Sequence, residues 1–161
     1  MQEIERKWLV DIQTCPVYHP NYVSPVEDIW EITQGYLNSL NDEWLVRVRS
    51  INDEMFHLEL KSKGLLTREE IKFNISEKEF NETLEKCLKV LKKTRYIHRI
   101  PGATFEIDIY EDYKFVTCEV EFKSEDRAKR FKAPEWCIKE ITMDPLYKNI
   151  NLAVVGNNKM I

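Results

Sequence analysis

Gln2-Glu3-Ile4-Glu5-Arg6-Lys7-Trp8-Leu9-Val10 opens the chain. If the stretch is a strand, side chains alternate between faces, and Glu3, Glu5 and Lys7 share one of them. Two carboxylates and an ammonium then stand in a row at intervals of about 7 Å, from a rise of roughly 3.3 Å per residue. Carboxylate oxygens suit hard divalent cations, and an ammonium meets phosphate as a point charge. A solvent-facing edge strand would carry the same mixture of charges, so the rest of the chain has to decide between the two readings.

The same two-residue alternation recurs along the chain. Beyond residues 2–10 it marks strands at about 30–38, 43–50, 55–63, 67–75, 92–100, 104–111 and 115–123. Trp44, Val46 and Val48 oppose Arg47 and Arg49; Leu58 and Leu60 oppose Glu59, Lys61 and Lys63. Ile71, Phe73 and Ile75 oppose Arg68, Glu70, Lys72 and Asn74. Ile107 and Ile109 oppose Glu106 and Asp108, and Val120 and Phe122 oppose Glu119, Glu121 and Lys123. Turns are expected at 38–43, at Asn52-Asp53 and at Pro101-Gly102. Ser76 and Glu79 form a capping box for a helix carrying Phe80, Leu84, Cys87, Leu88 and Leu91 at helical spacing. A shorter helix is expected after Ser124, with Ala128 and Phe131 on one face, and another at Asp144-Pro145. Pro16, Pro20 and Pro25 exclude one regular helix over 11–28.

About eight strands and few helices predict an α+β fold built on an antiparallel barrel or a strongly curved sheet, because closure removes exposed edges. Which face is inside decides the function. The charged rows hold basic Lys7, Arg47, Arg49, Lys61, Lys63, Arg68, Lys72, Lys93, Arg95 and Lys123, and acidic Glu3, Glu5, Glu59, Glu70, Glu106, Asp108, Glu119 and Glu121. A merely solvated face would include more Ser, Thr, Gln and Asn. With the charged face outward this would be an ordinary barrel with an apolar lumen; with it inward, helices must cover the apolar rows and the lumen is lined by charge, the reading that rows this complete favour.

The chain's 161 residues and 43% hydrophobic content predict one folded domain over 1–161. A net charge of −4 speaks against broad nucleic-acid binding. No membrane-spanning stretch is expected, which leaves the cytoplasm as the default location. Cys15, Cys87, Cys118 and Cys137 form no Cys-x-x-Cys pair, and His19, His57 and His98 lack zinc spacing. The histidines are expected at ordinary surface or half-buried positions. Trp8, Trp30 and Trp44 are expected to pack between barrel and helices rather than on a base. Lys148 is expected to be a plain surface charge or to cap one tunnel end.

The pattern resembles the CYTH family, or triphosphate tunnel metalloenzymes, over nearly the whole chain. The resemblance rests on Glu3-x-Glu5-x-Lys7, Gln34-Gly35-Tyr36-Leu37, Arg47-Val48-Arg49, Leu60-Lys61, Thr67-Arg68-x-Glu70 and Lys93-Thr94-Arg95-Tyr96. It continues through Glu106-Ile107-Asp108, Glu119-Val120-Glu121-Phe122, Glu140-Ile141-Thr142, Asp144 and Tyr147-x-Asn149-x-Asn151-Leu152-Ala153. It implies an eight-stranded antiparallel β-barrel with helices packed outside, whose charged tunnel hydrolyses or cyclises a small-molecule triphosphate with Mg²⁺ or Mn²⁺. It also implies Lys7, Arg47, Arg49, Lys61, Arg68, Lys93 and Arg95 as the phosphate-binding residues. By similarity, Glu119 and Glu121 with Glu3 or Glu5 and Asp108 hold the metal, and Lys7 with Tyr36 assists proton transfer or polarises the attacked phosphate. Many relatives carry Glu-x-Glu-x-Glu where this chain has Glu70, Lys72 and Asn74. Lys72 either removes one metal ligand or stands at the tunnel mouth without effect.

Hydrolysis of inorganic tripolyphosphate is the leading expectation, with thiamine triphosphate and nucleoside triphosphates open. An adenylate cyclase of the same family, a non-catalytic polyphosphate-binding module and a lipocalin-like carrier are the competing readings. Pairing into a homodimer stays open, with no residue to mark the interface.

Overall fold

The computed structural model describes residues 1–37 and 43–155. Apart from Glu43, the turn expected at 38–43 lies outside the described residues. The elements, in chain order, are β1 (Gln2–Val10), two 3₁₀ turns (Pro16–Tyr18 and Val26–Asp28), β2 (Ile29–Tyr36), β3 (Trp44–Ile51), β4 (Met55–Ser62), β5 (Thr67–Asn74), α1 (Glu77–Lys86), β6 (Lys89–Ile100), β7 (Ala103–Tyr110) and β8 (Val116–Glu121). They continue with α2 (Glu125–Arg130), β9 (Cys137–Glu140), a 3₁₀ turn (Pro145–Tyr147), α3 (Asn149–Leu152) and β10 (Val154–Val155).

Eight strands close into an antiparallel barrel in the order β6-β2-β3-β4-β5-β1-β8-β7, with β7 returning to β6. The two short strands β9 and β10 attach to β1 and β6. They are the strands that the alternation did not reveal, because four and two residues are too few to show a period. Closure pairs every barrel strand on both sides and leaves no long edge.

The turns follow their residues. Asn52 and Asp53 take φ of 54° and 53° between β3 and β4, a left-handed conformation that Asn and Asp tolerate. Pro101-Gly102 connects β6 to β7, with Gly102 at φ 85°.

The capping box forms as expected: Ser76 Oγ accepts from Glu79 N at 3.0 Å and Glu79 Oε1 from Ser76 N at 3.0 Å. Helix α1 nevertheless stops at Lys86. Leu88 is exposed and Leu91 belongs to β6, which corrects the expectation that both continue the helical stripe. The reason is pairing. Residues 89–96 run in register with β2 from Tyr36 back to Ile29, and the ladder outweighs local periodicity. The expected helix at Asp144-Pro145 is a 3₁₀ turn capped by Asp144 Oδ1, which accepts from Leu146 N. Ser124 caps α2 in the same way, through Arg127 N.

The core lies outside the barrel wall. Phe80 of helix α1 and Cys87 at its C-cap pack against Val48 of β3. Gly35 permits this approach: a Cβ there would stand 2.7 Å from Leu84 Cδ1 and 2.8 Å from Cys87 Sγ. A second cluster joins Trp8, Val10, Phe105, Ile107, Cys118 and Val120, with Phe131 and Trp136 packed over it. Inside the barrel, the end beside Tyr36 is apolar. There Leu152 and Ala153 of the C-terminal segment pack on Tyr36, Leu91 and Tyr110.

Candidate active site

Register settles which rows point inward. Each row below is continued by its direct cross-strand partner on the next strand, all the way round. Tyr36 and Gln34 of β2 face Arg47 and Arg49 of β3. Those face Glu59 and His57 of β4, and Glu59 and Lys61 face Lys72 and Glu70 of β5. Arg68 faces Glu3, Glu5 faces Glu121, and Lys7 faces Glu119. Glu119 faces Glu106 on β7, and Asp108 faces Arg95 on β6. The charged rows therefore enclose a common space.

Arg47, Arg49, Lys61, Lys93 and Arg95 are buried, Lys7 and Arg68 are half-buried, and all are paired. Arg47 is 3% exposed, and its Nη2 donates to Glu59 Oε1 at 2.8 Å. Arg49 donates from Nε to Gln34 Oε1 at 2.9 Å and lies 3.8 Å from Glu59. Lys61 reaches Glu3 at 2.9 Å and Glu70 at 3.1 Å. Arg68 lies 3.8 Å from Glu3 and 3.6 Å from Glu5. Lys93 meets Asp108 at 2.8 Å, and Arg95 holds Asp108 and Glu106 at 2.7 Å each. Lys7 donates to the carbonyl of Tyr147 at 2.6 Å and lies 3.5 Å from Glu119. Tyr36 accepts from Gln34 Nε2 at 2.8 Å and lines the same end of the tunnel as Lys7.

Such burial is a poor way to stabilise a fold. Taking charges out of water costs several kcal/mol per ion, and apolar replacements are often as stable.

The acids divide into two groups. Glu3, Glu5 and Glu121 bring carboxylate oxygens within 4.8 Å of one another. Burial, then the Glu119 carboxylate, raises the Glu5 pKa to about 8. Burial, then Glu106 and Glu3, raises that of Glu121 to about 7. Burial also opposes ionisation of Glu3, but the Lys61 ammonium and the Arg68 guanidinium together outweigh it and hold that carboxyl below its ordinary range. A cluster of hard oxygens that retains protons for want of counter-charge fits a divalent cation.

Asp108 stands apart from this cluster. It is fully buried, and burial is outweighed by Arg95 and Lys93, which keep it ionised. Burial in turn pushes Lys93 down to about 7 against the pull of Asp108. Glu119 is likewise not among the three that converge. It pairs with Lys7, and the surrounding cations outweigh its burial and hold its pKa well below the usual range. The structure thus gathers three of the five acids expected at the metal, with Glu119 at their edge and Asp108 on the opposite cations.

Lys72 lies at the tunnel mouth, 46% exposed and 3.6 Å from Glu70. Lys148 is tied to the carbonyl of Gly64 at 3.1 Å, where it helps roof the Lys7 end. Four inward residues were given no part in the site by the sequence reading, although Glu59 stood in its charged rows. Glu59 braces Arg47 and Arg49, and Gln34 orients Arg49 and Tyr36. His57 is buried in the wall, which corrects its expected placement at or near the surface. Trp30 lines the tunnel rather than the barrel–helix seam. Period two already carried the signal: His57 precedes Glu59 by two residues, and Trp30 precedes Gln34 by four.

A CYTH domain model matches residues 1–143. The chain belongs to the CYTH family. An inorganic triphosphatase of Nitrosomonas europaea is 37% identical over 159 residues, covering 96% of this chain and 98% of that protein. An inorganic triphosphatase of Acetivibrio thermocellus is 37% identical over 123 residues, covering 74% of this chain and 77% of that protein. A crystal structure of an inorganic triphosphatase superposes with a TM-score of 0.65 at 31% identity, covering 96% of this chain and 95% of that one. Within this CYTH chain, the shared barrel is what brings the cations and acids into one tunnel. Among the described residues, no helix is long and apolar enough to cross a membrane.

Proposed function

We propose that this CYTH protein is a divalent-metal-dependent triphosphatase that hydrolyses inorganic tripolyphosphate inside its tunnel. One observation carries the reading. Three converging carboxylates and a ring of buried guanidinium and ammonium groups face one closed space, in a chain 37% identical to an inorganic triphosphatase over nearly its whole length.

A triphosphate carries about four to five negative charges, and one charge pair at 4 Å is worth about 4 kcal/mol at an effective dielectric near 20. Arg47, Arg49 and Arg95 present planar forks to phosphate oxygens, while Lys61, Arg68 and Lys93 add charge along the chain of phosphates. The bases are already held in place by Glu59, Asp108 and Glu106, so little reorganisation accompanies binding.

Glu3, Glu5 and Glu121 would hold Mg²⁺ or Mn²⁺, which supplies charge neutralisation on phosphate oxygens and orients reacting groups. Phosphoryl transfer requires chiefly positioning and electrostatic stabilisation, so no nucleophilic side chain is needed. Lys7 and Tyr36 stand at one end of the tunnel, where they would face the terminal phosphate. Lys7 polarises it, and the Tyr36 hydroxyl, oriented by Gln34, handles the proton of the attacking water.

A phosphate-release screen over tripolyphosphate, thiamine triphosphate, ATP and GTP with each metal tests this. Orthophosphate release from tripolyphosphate, dependent on added metal, is expected. Tight tripolyphosphate binding with no release under Mg²⁺, Mn²⁺ or Co²⁺ would overturn it in favour of a binding module. Pyrophosphate and cyclic AMP from ATP would mark a cyclase.

A further inference from the structure

Strand β5 is longer than one of its two ladders. Toward β4 its last residues are paired throughout, with Lys61 opposite Glu70 and His57 opposite Asn74. Toward β1 the register runs only from Thr67 to Glu69. It closes on a final pair, in which Glu70 N donates to the Met1 carbonyl at 2.8 Å and the Met1 ammonium donates to that of Glu70 at 3.0 Å. Among the described residues, no strand pairs with Ile71–Asn74 on that side. Alternate residues of an antiparallel ladder direct N–H and C=O to the same side, so Lys72 and Asn74 follow Glu70 and present theirs to the open side. The outward face is bare as well: Ile71 is 43% and Phe73 51% exposed, while α1 stands over Val48, Phe56 and Leu58.

An open stretch of strand with apolar side chains on one face is a template for one more strand. The residues say which. Read outward from Phe73, the segment is symmetric in kind: polar Lys72 and Asn74 flank it, and Ile71 and Ile75 come next. A two-fold axis at Phe73 sets Lys72 opposite Asn74 of a second copy, Ile71 opposite Ile75, and Phe73 opposite itself. Aromatic and β-branched pairs of this kind favour pairing. The neighbouring registers fail. An axis at Lys72 sets two ammonium groups directly opposite each other, which is destabilising, and calls on Glu70, whose backbone is taken by Met1. An axis at Asn74 sets Lys72 against Ser76, whose N–H is already bound to Glu79 Oε1. A register between residues sets an open residue against one already paired to β4.

We propose that Ile71–Asn74 is a self-association edge, through which two copies of this chain pair β5 to β5, antiparallel about a two-fold axis at Phe73. Lys72 and Asn74 exchange backbone hydrogen bonds in both directions, twice over by symmetry, and the exposed Ile71 and Phe73 side chains are covered. The seam is short, so the dimer is weak and forms with rising concentration. Lys72 lines the tunnel mouth, so the mouth of each copy borders the seam. Nothing in this pairing depends on what the tunnel binds.

Sedimentation of the full chain, with no added residues at either end, over a hundredfold range of concentration reads the association. Native protein is expected to show a monomer–dimer equilibrium. Phe73→Lys sets two ammonium groups on the axis, and Asn74→Pro removes an N–H of the seam while leaving the ladder to β4 in place. Each is expected to weaken dimerisation at least tenfold while keeping the native circular dichroism. Phe73→Cys reads the register. Directly opposed residues that do not hydrogen-bond to each other bring their Cα atoms to about 4.5 Å, within reach of a disulfide. Oxidised glutathione is expected to give covalent dimers of Phe73→Cys, and far fewer of Ile71→Cys or of native protein. Native protein that stays monomeric throughout overturns the inference. So does a dimer unmoved by both Phe73→Lys and Asn74→Pro, or a yield from Phe73→Cys no higher than from Ile71→Cys. Should Phe73→Lys and Asn74→Pro fail to fold, the two disulfide yields decide by themselves.

Discussion

Glu5 and Glu121 are direct cross-strand partners on β1 and β8, and both retain protons near neutrality, with pKa values of about 8 and about 7. Like charges opposite one another destabilise a strand pair, and burial adds to that. A divalent cation at Glu3, Glu5 and Glu121 must displace those protons, so its affinity rises as pH increases through 7 to 8. Calorimetry of Mg²⁺ or Mn²⁺ binding in buffers of different ionisation enthalpy should show proton release at pH 6.5 and little above pH 9. Equal proton counts at both pH values would contradict the assignment.

Glu59 is the brace of the arginine pair. It is fully buried, and although burial opposes ionisation, Arg47 and Arg49 hold its pKa far below the ordinary carboxylate range. Glu59→Gln leaves two buried guanidinium groups facing each other. Removing one partner of a buried pair costs about 3–5 kcal/mol, readable by urea unfolding. Tripolyphosphate without metal should restore part of that loss by supplying the missing negative charge. A variant as stable as native, with or without the anion, would rule out the brace.

Binding and turnover should separate along the two groups of residues. Glu121→Gln is expected to abolish phosphate release while leaving tripolyphosphate affinity within a few-fold. Arg49→Ala and Arg95→Ala each lose a charged hydrogen bond and should weaken binding by about 1.5–3 kcal/mol. Turnover and affinity measured on all three check the division, and equal kcat in all of them would leave the tunnel mechanism without support.

Tyr36 is buried in the apolar cluster at the Lys7 end, and its hydroxyl is oriented by Gln34. Tyr36→Phe keeps the packing and removes only the oxygen. If the hydroxyl handles a proton, kcat falls on the order of 100-fold with KM nearly constant. An unchanged kcat and pH profile would reduce Tyr36 to a packing residue.

Much of this was legible from local pattern. Alternation placed Glu3, Glu5 and Lys7 on one face and Arg47 and Arg49 on one face, and Ser76 with Glu79 marked a helix start that the structure has. The misreadings have physical causes. Leu88 and Leu91 continue a helical stripe by spacing, yet β2 offers residues 89–96 an unbroken ladder, and that long-range pairing ends α1 at Lys86. Trp30 and His57 look like ordinary aromatic and polar residues until closure turns their rows inward. The separation of Asp108 from the other acids depends on Arg95 and Lys93 of a neighbouring strand, which no spacing within β7 reveals.

The sequence by itself determined which side chains travel together, because the face a residue takes on a strand depends only on its own backbone and its neighbours. The tertiary structure decided which rows meet and what each charge touches. Register and barrel closure arise from contacts between residues distant along the chain, and through them Glu3, Glu5 and Glu121 converge while Asp108 is drawn to Arg95. Only closure, too, turned the ionic rows toward a shared interior and left Trp30 at its rim.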